Sequence, residues 1–275
     1  MKDRTEKSEN KRNVLLVASF GTAVTESRRH DIAPVEQAVR EAAGEAWSTR
    51  RCFSSQKVID IILKREGVTT DSIEEAVCHA LSDGARKLAV QPTHLMKGRE
   101  YDKLKRILAG YEGSFEEIAA GEPLLSSEED FDRVSEALIG ASAEHEDGKT
   151  ALVFMGHGTD ASSNGVYLKL QETLQRKGRS DYFIGTAEAG PSPDDVIAAV
   201  RKGPYTRAVI RPLLLAAGNH AIKDMASPDD PRSWFSRFTS AGYDTACIRE
   251  GLGRLPAIRD IYACHAKKAI GSLSL

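Results

Sequence analysis

Cysteine is scarce and scattered in this chain. Cys52, Cys78, Cys247 and Cys264 are the only four in 275 residues, and no two of them have CxxC spacing. That argues against an iron–sulfur cluster or a structural zinc site, and scattered thiols suit a reducing compartment. Long apolar runs are missing too. No 18-residue stretch could cross a membrane, and the apolar run at 14–18 is too short for a secretory leader. The chain therefore reads as cytoplasmic. Charge of either sign is not in excess: 38 Lys and Arg face 40 Asp and Glu, a formal net charge of -2. With no basic surplus there is no nucleic-acid footprint. A local basic cluster could still bind an anionic small molecule.

What is present is a weak duplication. NVLLVASFGT (13–22) is echoed by TALVFMGHGT (150–159), 137 residues on. KLAVQPTHLMKG (87–98) is echoed by RAVIRPLLLAAG (207–218) at an offset of 120, and FEEIAAGEPL (115–124) by YDTACIREGL (243–252) at 128. The segments keep their order, which implies a repeated α/β unit. The copies differ where chemistry would sit. Phe20 in the first becomes His157 in the second, and Glu100 becomes His220.

Apolar runs at 14–18, 87–91, 115–120, 151–155, 182–186, 208–215 and 243–249 predict strands, with a weaker eighth at 51–54. Continuous apolar runs indicate strands buried on both faces, hence parallel strands with helical crossovers. Helices are predicted at, among others, 72–82, 128–139, 166–175, 193–200, from about 232, and 256–269, with acids near the starts at Ser127 and Ser192. The fold class is α/β: two similar lobes, each a mostly parallel four-stranded sheet flanked by helices, with a cleft between them. The expected division is a charged N-terminal extension (1–12), a first lobe (13–145) and a second lobe (146–275). The last helix is a candidate to pack back on the first lobe.

Ligands of open α/β sheets bind beyond the carboxyl ends of the strands. In the second half His157, Glu188 and His220 follow three different strands. Two imidazoles and a carboxylate suit a borderline divalent ion such as Co²⁺, Ni²⁺, Fe²⁺ or Zn²⁺ and leave coordination positions open. Spacings of 31 and 32 residues form no compact motif, and a hydrogen-bonded structural role for each histidine stays open. Gly156 and Gly158 flank His157. Ser19, Phe20, Gly21 and Thr22 form the matching turn in the first half. Backbone N–H groups at such a turn bind anions if a helix follows, but the Walker lysine and the three glycines of a dinucleotide fingerprint are absent. His94 follows a strand and is a candidate cleft residue. His30, His79, His145 and His265 are read as structural or solvent-facing.

VASFGT (17–22), FMGHG (154–158), GTAE (185–188), PLLLAAGNH (212–220) and KDMAS (223–227), with Asp229, Asp230, Ser233 and Trp234 downstream, resemble the anaerobic sirohydrochlorin cobaltochelatase family. The resemblance runs through nearly all of the chain after residue 12. It implies a class II chelatase fold and a site of His157, Glu188 and His220, acting as both metal ligands and catalytic groups. Ser19, Phe20, Gly21, Thr22, His94 and Gly158 become the expected substrate contacts. One departure is Asn219, where the family usually has Asp before the second histidine.

The resemblance implies ATP-independent insertion of Co²⁺, the substrate metal, into sirohydrochlorin with release of two protons, in anaerobic cobalamin synthesis. No ATP and no iron–sulfur cluster are expected. The implied partner is sirohydrochlorin or a related polycarboxylate tetrapyrrole, with no nucleic acid and no membrane; a homo-oligomer is compatible with the sequence, which does not fix assembly. Arg51, Lys97, Arg99, Arg211 and Lys223 are candidate cations for the carboxylates. Two competing readings are a His₂Glu metal-dependent hydrolase, weakened by the absence of HExxH, and a two-lobed metal-delivery protein, which would normally carry an export signal.

Overall fold

The computed structural model describes residues 13–274. The expected extension at 1–12 lies outside them. The chain runs β1 (Asn13–Ser19), α1 (Thr25–Ser27), α2 (Ala33–Ala43), β2 (Trp47–Phe53), α3 (Gln56–Glu66), α4 (Ile73–Ser82), β3 (Lys87–Pro92), α5 (Arg99–Ala109), β4 (Glu117–Ala120) and α6 (Glu128–Ser142). It continues with β5 (Thr150–Gly156), α7 (Gly165–Arg176), β6 (Tyr182–Thr186), α8 (Pro193–Val200), β7 (Arg207–Pro212), α9 (Trp234–Ser240), β8 (Asp244–Cys247) and α10 (Pro256–Gly271).

The eight strands form two all-parallel sheets, ordered β2-β1-β3-β4 and β6-β5-β7-β8. Pairing register confirms the duplication in detail. Asn13 pairs with Lys87 and Thr150 with Arg207, which are the sequence offsets of 137 and 120. The edge strands depart from the sequence offset. The bonds Glu116 N–H to Arg86 O and Asp244 N–H to Thr206 O are related by 128, whereas Gly121 N–H to Val90 O and Ile248 N–H to Ile210 O are related by 127. The first copy holds one more residue at the entry to this strand and one fewer after it, so the sequence echo, which reads 128 throughout, conceals a compensated insertion.

The central strands are apolar because both faces are covered. Residues 14–18 and 151–155 are all at most 1% exposed. One face of the first sheet packs Val14, Leu16, Val90, Val77 and Leu104; one face of the second packs Val153, Met155, Ile210, Val196 and Trp234. The weak eighth strand is β2, which begins at Trp47 rather than 51. It lies at a sheet edge, and its residues 48–51 are polar and at least partly exposed, so no apolar run announced it. Helix starts are set by Ser72, Ser127 and Ser192. Each hydroxyl accepts the N–H three residues on, from Glu75, Asp130 and Asp195, whose carboxylates accept the serine N–H in return.

The expected boundary at 145/146 needs correction. The described residues form one compact unit of 13–23, 32–124 and 259–274 and a second of 24–31 and 125–258. Helix α6 belongs to the second unit: Lys169 pairs with Glu128, Lys177 with Asp132 and Glu136, and Tyr182 donates to Ile139 O. Helix α10 belongs to the first: Tyr262 donates to Thr93 O, and His265 to Glu122 O through Nδ1. The short excursion at 24–31 joins the second unit through buried polar bonds. Ser27 donates to Ala217 O at 2.7 Å, and Asp31 accepts from Ala217 N–H at 2.8 Å and from Arg254 at 2.7 Å. No helix among the described residues is long and apolar enough to cross a membrane.

Candidate metal centre

Strands β6, β5 and β7 are neighbours, so their carboxyl ends lie about 4.8 Å apart along the sheet. His157 directly follows β5, Glu188 follows β6 by two residues, and His220 opens the π-helical turn Ala221–Met225 after β7. Residues separated by 31 and 32 positions thereby converge. The Glu188 N–H donates to His157 O at 2.9 Å, extending the ladder past the strand ends and tying two of the three together.

One ligand atom from each of His157, Glu188 and His220 lies within 4.8 Å of the other two. His157 Nε2 is 3.7 Å from Glu188 Oε1, too long for a hydrogen bond. It is close to the roughly 3.4 Å expected between two atoms bound tetrahedrally to one ion at about 2.1 Å. The imidazoles meet edge to face with centroids 4.5 Å apart. All three side chains are open to solvent, with His157 44%, Glu188 56% and His220 37% exposed.

The imidazole tautomers follow from their partners. His157 Nδ1 lies 2.9 Å from Gly158 O, and a carbonyl only accepts, so Nδ1 carries the proton. His220 Nδ1 lies 2.5 Å from Asp224 Oδ2, with the same consequence. Both Nε2 lone pairs are left for a metal. Two imidazoles and one carboxylate would offset one charge of a divalent ion, and with no thiolate the set would hold it without the softness that traps one.

Gly158 is fixed by conformation. Its φ is +85°, and an added Cβ would fall 2.8 Å from Thr186. Its counterpart Gly21 has φ +90°, and an added Cβ would lie 2.6 Å from the Phe53 ring. Both are explained by the turn without a ligand.

In the first unit the equivalent positions hold no imidazole. The Ser55 N–H donates to Phe20 O at 3.3 Å, as Glu188 does to His157. Phe20, Ser55 and Glu100 thus stand where His157, Glu188 and His220 stand in the second copy. Ser19 is fully buried and its hydroxyl accepts from Thr93; Thr22 is buried. His94 has both ring nitrogens buried without a hydrogen-bond partner, and burial pushes its pKa down to about 4, only partly offset by Glu100. These three expected contacts present no polar group to a dissolved ligand. Phe20, 51% exposed, does present its ring. The anion-binding turn also loses its basis, because it runs into the three-residue α1 and a π-helical stretch rather than a regular helix.

The candidate cations divide similarly. Arg51 is taken by Glu36 through two bonds of 2.6 Å, which raise its pKa. Lys97 pairs with Glu122 at 2.7 Å. Arg211 is buried, donates to Ala141 O and has its pKa lowered by desolvation. Arg99 and Lys223 are exposed. Sequence reasoning missed Asp224, Asp31 and Ser27. Asp224 lies four residues from a candidate ligand, which is a usable signal; Asp31 and Ser27 are some 190 residues from their partner at Ala217 and gave none.

A profile of the cobalt chelatase (CbiK) family matches residues 13–271. The chain belongs to the cobalt chelatase family. It is 31% identical over 259 residues to the sirohydrochlorin cobaltochelatase of Salmonella typhimurium, covering 94% of this chain and 97% of that protein. It is 29% identical over 206 residues to sirohydrochlorin cobaltochelatase CbiKC of Nitratidesulfovibrio vulgaris, covering 74% and 72%. Among solved structures it resembles SirB from Bacillus subtilis with Fe3+, at TM-score 0.63, 16% identity and coverage of 94% and 95%. It also resembles CbiX, described as the terminal enzyme of siroheme biosynthesis in denitrifying bacteria, at TM-score 0.51, 18% identity and coverage of 95% and 100%. These structural likenesses concern the fold, which is that of class II chelatases. The family resemblance is thereby borne out over residues 13–271.

Proposed function

We propose that this cobalt chelatase family member inserts Co²⁺ into sirohydrochlorin without ATP, through His157, Glu188 and His220. The observation that supports this most is the convergence of the three ligand atoms within 4.8 Å in the copy that gained histidines. The reaction replaces two pyrrole N–H protons with one divalent ion, so charge balances when two protons leave. Each imidazole that gives up the metal regains an Nε2 lone pair, and a neutral imidazole accepts a proton near neutral pH. Two histidines match two protons. Glu188 offsets charge on the incoming ion and lies near enough to His157 to stabilise the imidazolium formed there.

A tetrapyrrole offers an apolar face and a rim of carboxylates. Beside His220, the exposed Ile222 and Lys223 supply one apolar and one cationic group. Phe20 is retained as a substrate contact because its ring is exposed. All four cysteines are unpaired, which supports a reducing, cytoplasmic setting. The scheme needs no nucleotide and no iron–sulfur cluster.

The test is a metal-by-metal insertion assay with sirohydrochlorin and a simpler porphyrin side by side, followed by absorption. Catalysed Co²⁺ insertion into sirohydrochlorin is expected, with the carboxylate-poor porphyrin a much poorer substrate. No acceleration over the uncatalysed rate with any divalent ion would overturn the proposal. It would also return attention to a hydrolase or a delivery protein.

A further inference from the structure

We propose that Asp224 is a positioning residue that holds the His220 imidazole in the tautomer whose Nε2 faces the metal. The inference rests on the metal-transfer reading above and extends it. His220 caps the π-helical stretch Ala221–Met225, and that winding brings the carboxylate four residues on to 2.5 Å from Nδ1. A carboxylate bonded to the far nitrogen of a ligating histidine fixes the ring's orientation and makes the near nitrogen a stronger donor.

The two histidines are supported unequally. His157 donates to a neutral peptide carbonyl, His220 to a charged carboxylate. Charge-assisted bonds are the stronger class, so His220 is the better metal donor and His157 the one that releases first. Asp224 also resolves the substitution at Asn219. Asn219 is exposed, and the carboxylate that orients His220 comes from the opposite side of the histidine in the chain. The loss of a charged neighbour at 219 therefore leaves the imidazole with its anionic partner. As an exposed i, i+4 pair, half open to water, the contact contributes little to stability. Its effect is on the ring.

The experiment uses the full chain and the variants Asp224→Ala, Asp224→Asn and His220→Ala. In metal-free protein with ¹⁵N-labelled histidine, at about pH 8 where imidazole is neutral, long-range ¹H–¹⁵N spectra report the tautomer. We expect His220 to be protonated at Nδ1 in the wild type and to lose that preference in Asp224→Ala. Titration with Co²⁺, read from ligand-field absorption, should show about 10–100-fold weaker binding in Asp224→Ala. Asp224→Asn, whose amide oxygen still accepts, should recover part of it. Thermal melts should stay close to the wild type. An unchanged tautomer in Asp224→Ala would overturn the proposal. So would wild-type Co²⁺ affinity in Asp224→Ala alongside a loss in His220→Ala, an outcome that leaves the metal site standing. Wild-type affinity in His220→Ala would overturn the site itself.

Discussion

The Nδ1 contacts of His157 and His220 leave each Nε2 as the atom that would meet a metal, and Glu188 is tied to the His157 backbone. Glu188→Gln keeps an oxygen that can coordinate and removes the charge. Insertion should slow by less than in either histidine variant, and the difference should show in steady-state rates at saturating sirohydrochlorin. His94 supplies a pH test. Its folded pKa is about 4 against about 6.5 unfolded, so between those values the unfolded chain binds more protons. Stability from this group is complete above about pH 6.5 and is lost as pH falls toward 4, by about 3 kcal/mol in all. The second copy has Leu214 at this position. His94→Leu should therefore flatten the fall in melting temperature between pH 6.5 and 4, and an unchanged acid limb would contradict the burial argument. The convergence of His157, Glu188 and His220 was legible because each follows a predicted strand, and strand ends share a rim. The burial of Ser19, Thr22 and His94 was not. Being next to a strand end says where the backbone goes, not whether the side chain turns into the core, and Ser19 turned inward to meet Thr93.

At the scale of elements, the strands were readable wherever both faces are covered. The start of α8 at Pro193 and the pairing offsets of the central strands follow from the sequence residue for residue. The edge strand β2 was legible only at its buried end. The return of α10 to the first unit was anticipated, whereas the placement of α6 in the second was not, because it precedes the polar segment read as the boundary. The excursion at 24–31 is the element whose importance the structure reveals. Asp31 is fully buried and joins Arg254 to the backbone of Ala217, three residues before His220. Asp31→Ala leaves that N–H and guanidinium short of an acceptor and should cost on the order of 3–5 kcal/mol, visible in denaturant unfolding. At temperatures where the variant is still folded, Co²⁺ binding should weaken because the loop carrying His220 loses its clamp. Wild-type stability would contradict the clamp.

At the scale of the whole molecule, one α/β unit is present twice, and the candidate ligands His157, Glu188 and His220 all lie in one copy. The pairs Phe20 and His157, Ser55 and Glu188, and Glu100 and His220 occupy matching backbone positions, so each candidate ligand of the second copy has a different side chain in its place in the first. That asymmetry was half legible, because Phe20 and Glu100 stand out in the sequence echo. Ser55 came into line only through the matching bonds to Phe20 O and His157 O. Metal transfer is proposed to run through the three-residue site. Its most direct test is cobalt insertion kinetics for His157→Ala and His220→Ala, each with a thermal melt, and with His145→Ala as the control histidine. Both site variants should keep near-wild-type melting temperatures and lose at least about 10²–10⁴-fold in rate, the contribution of a proton acceptor alone, while His145→Ala matches the wild type. Near-wild-type insertion by both His157→Ala and His220→Ala would contradict the account.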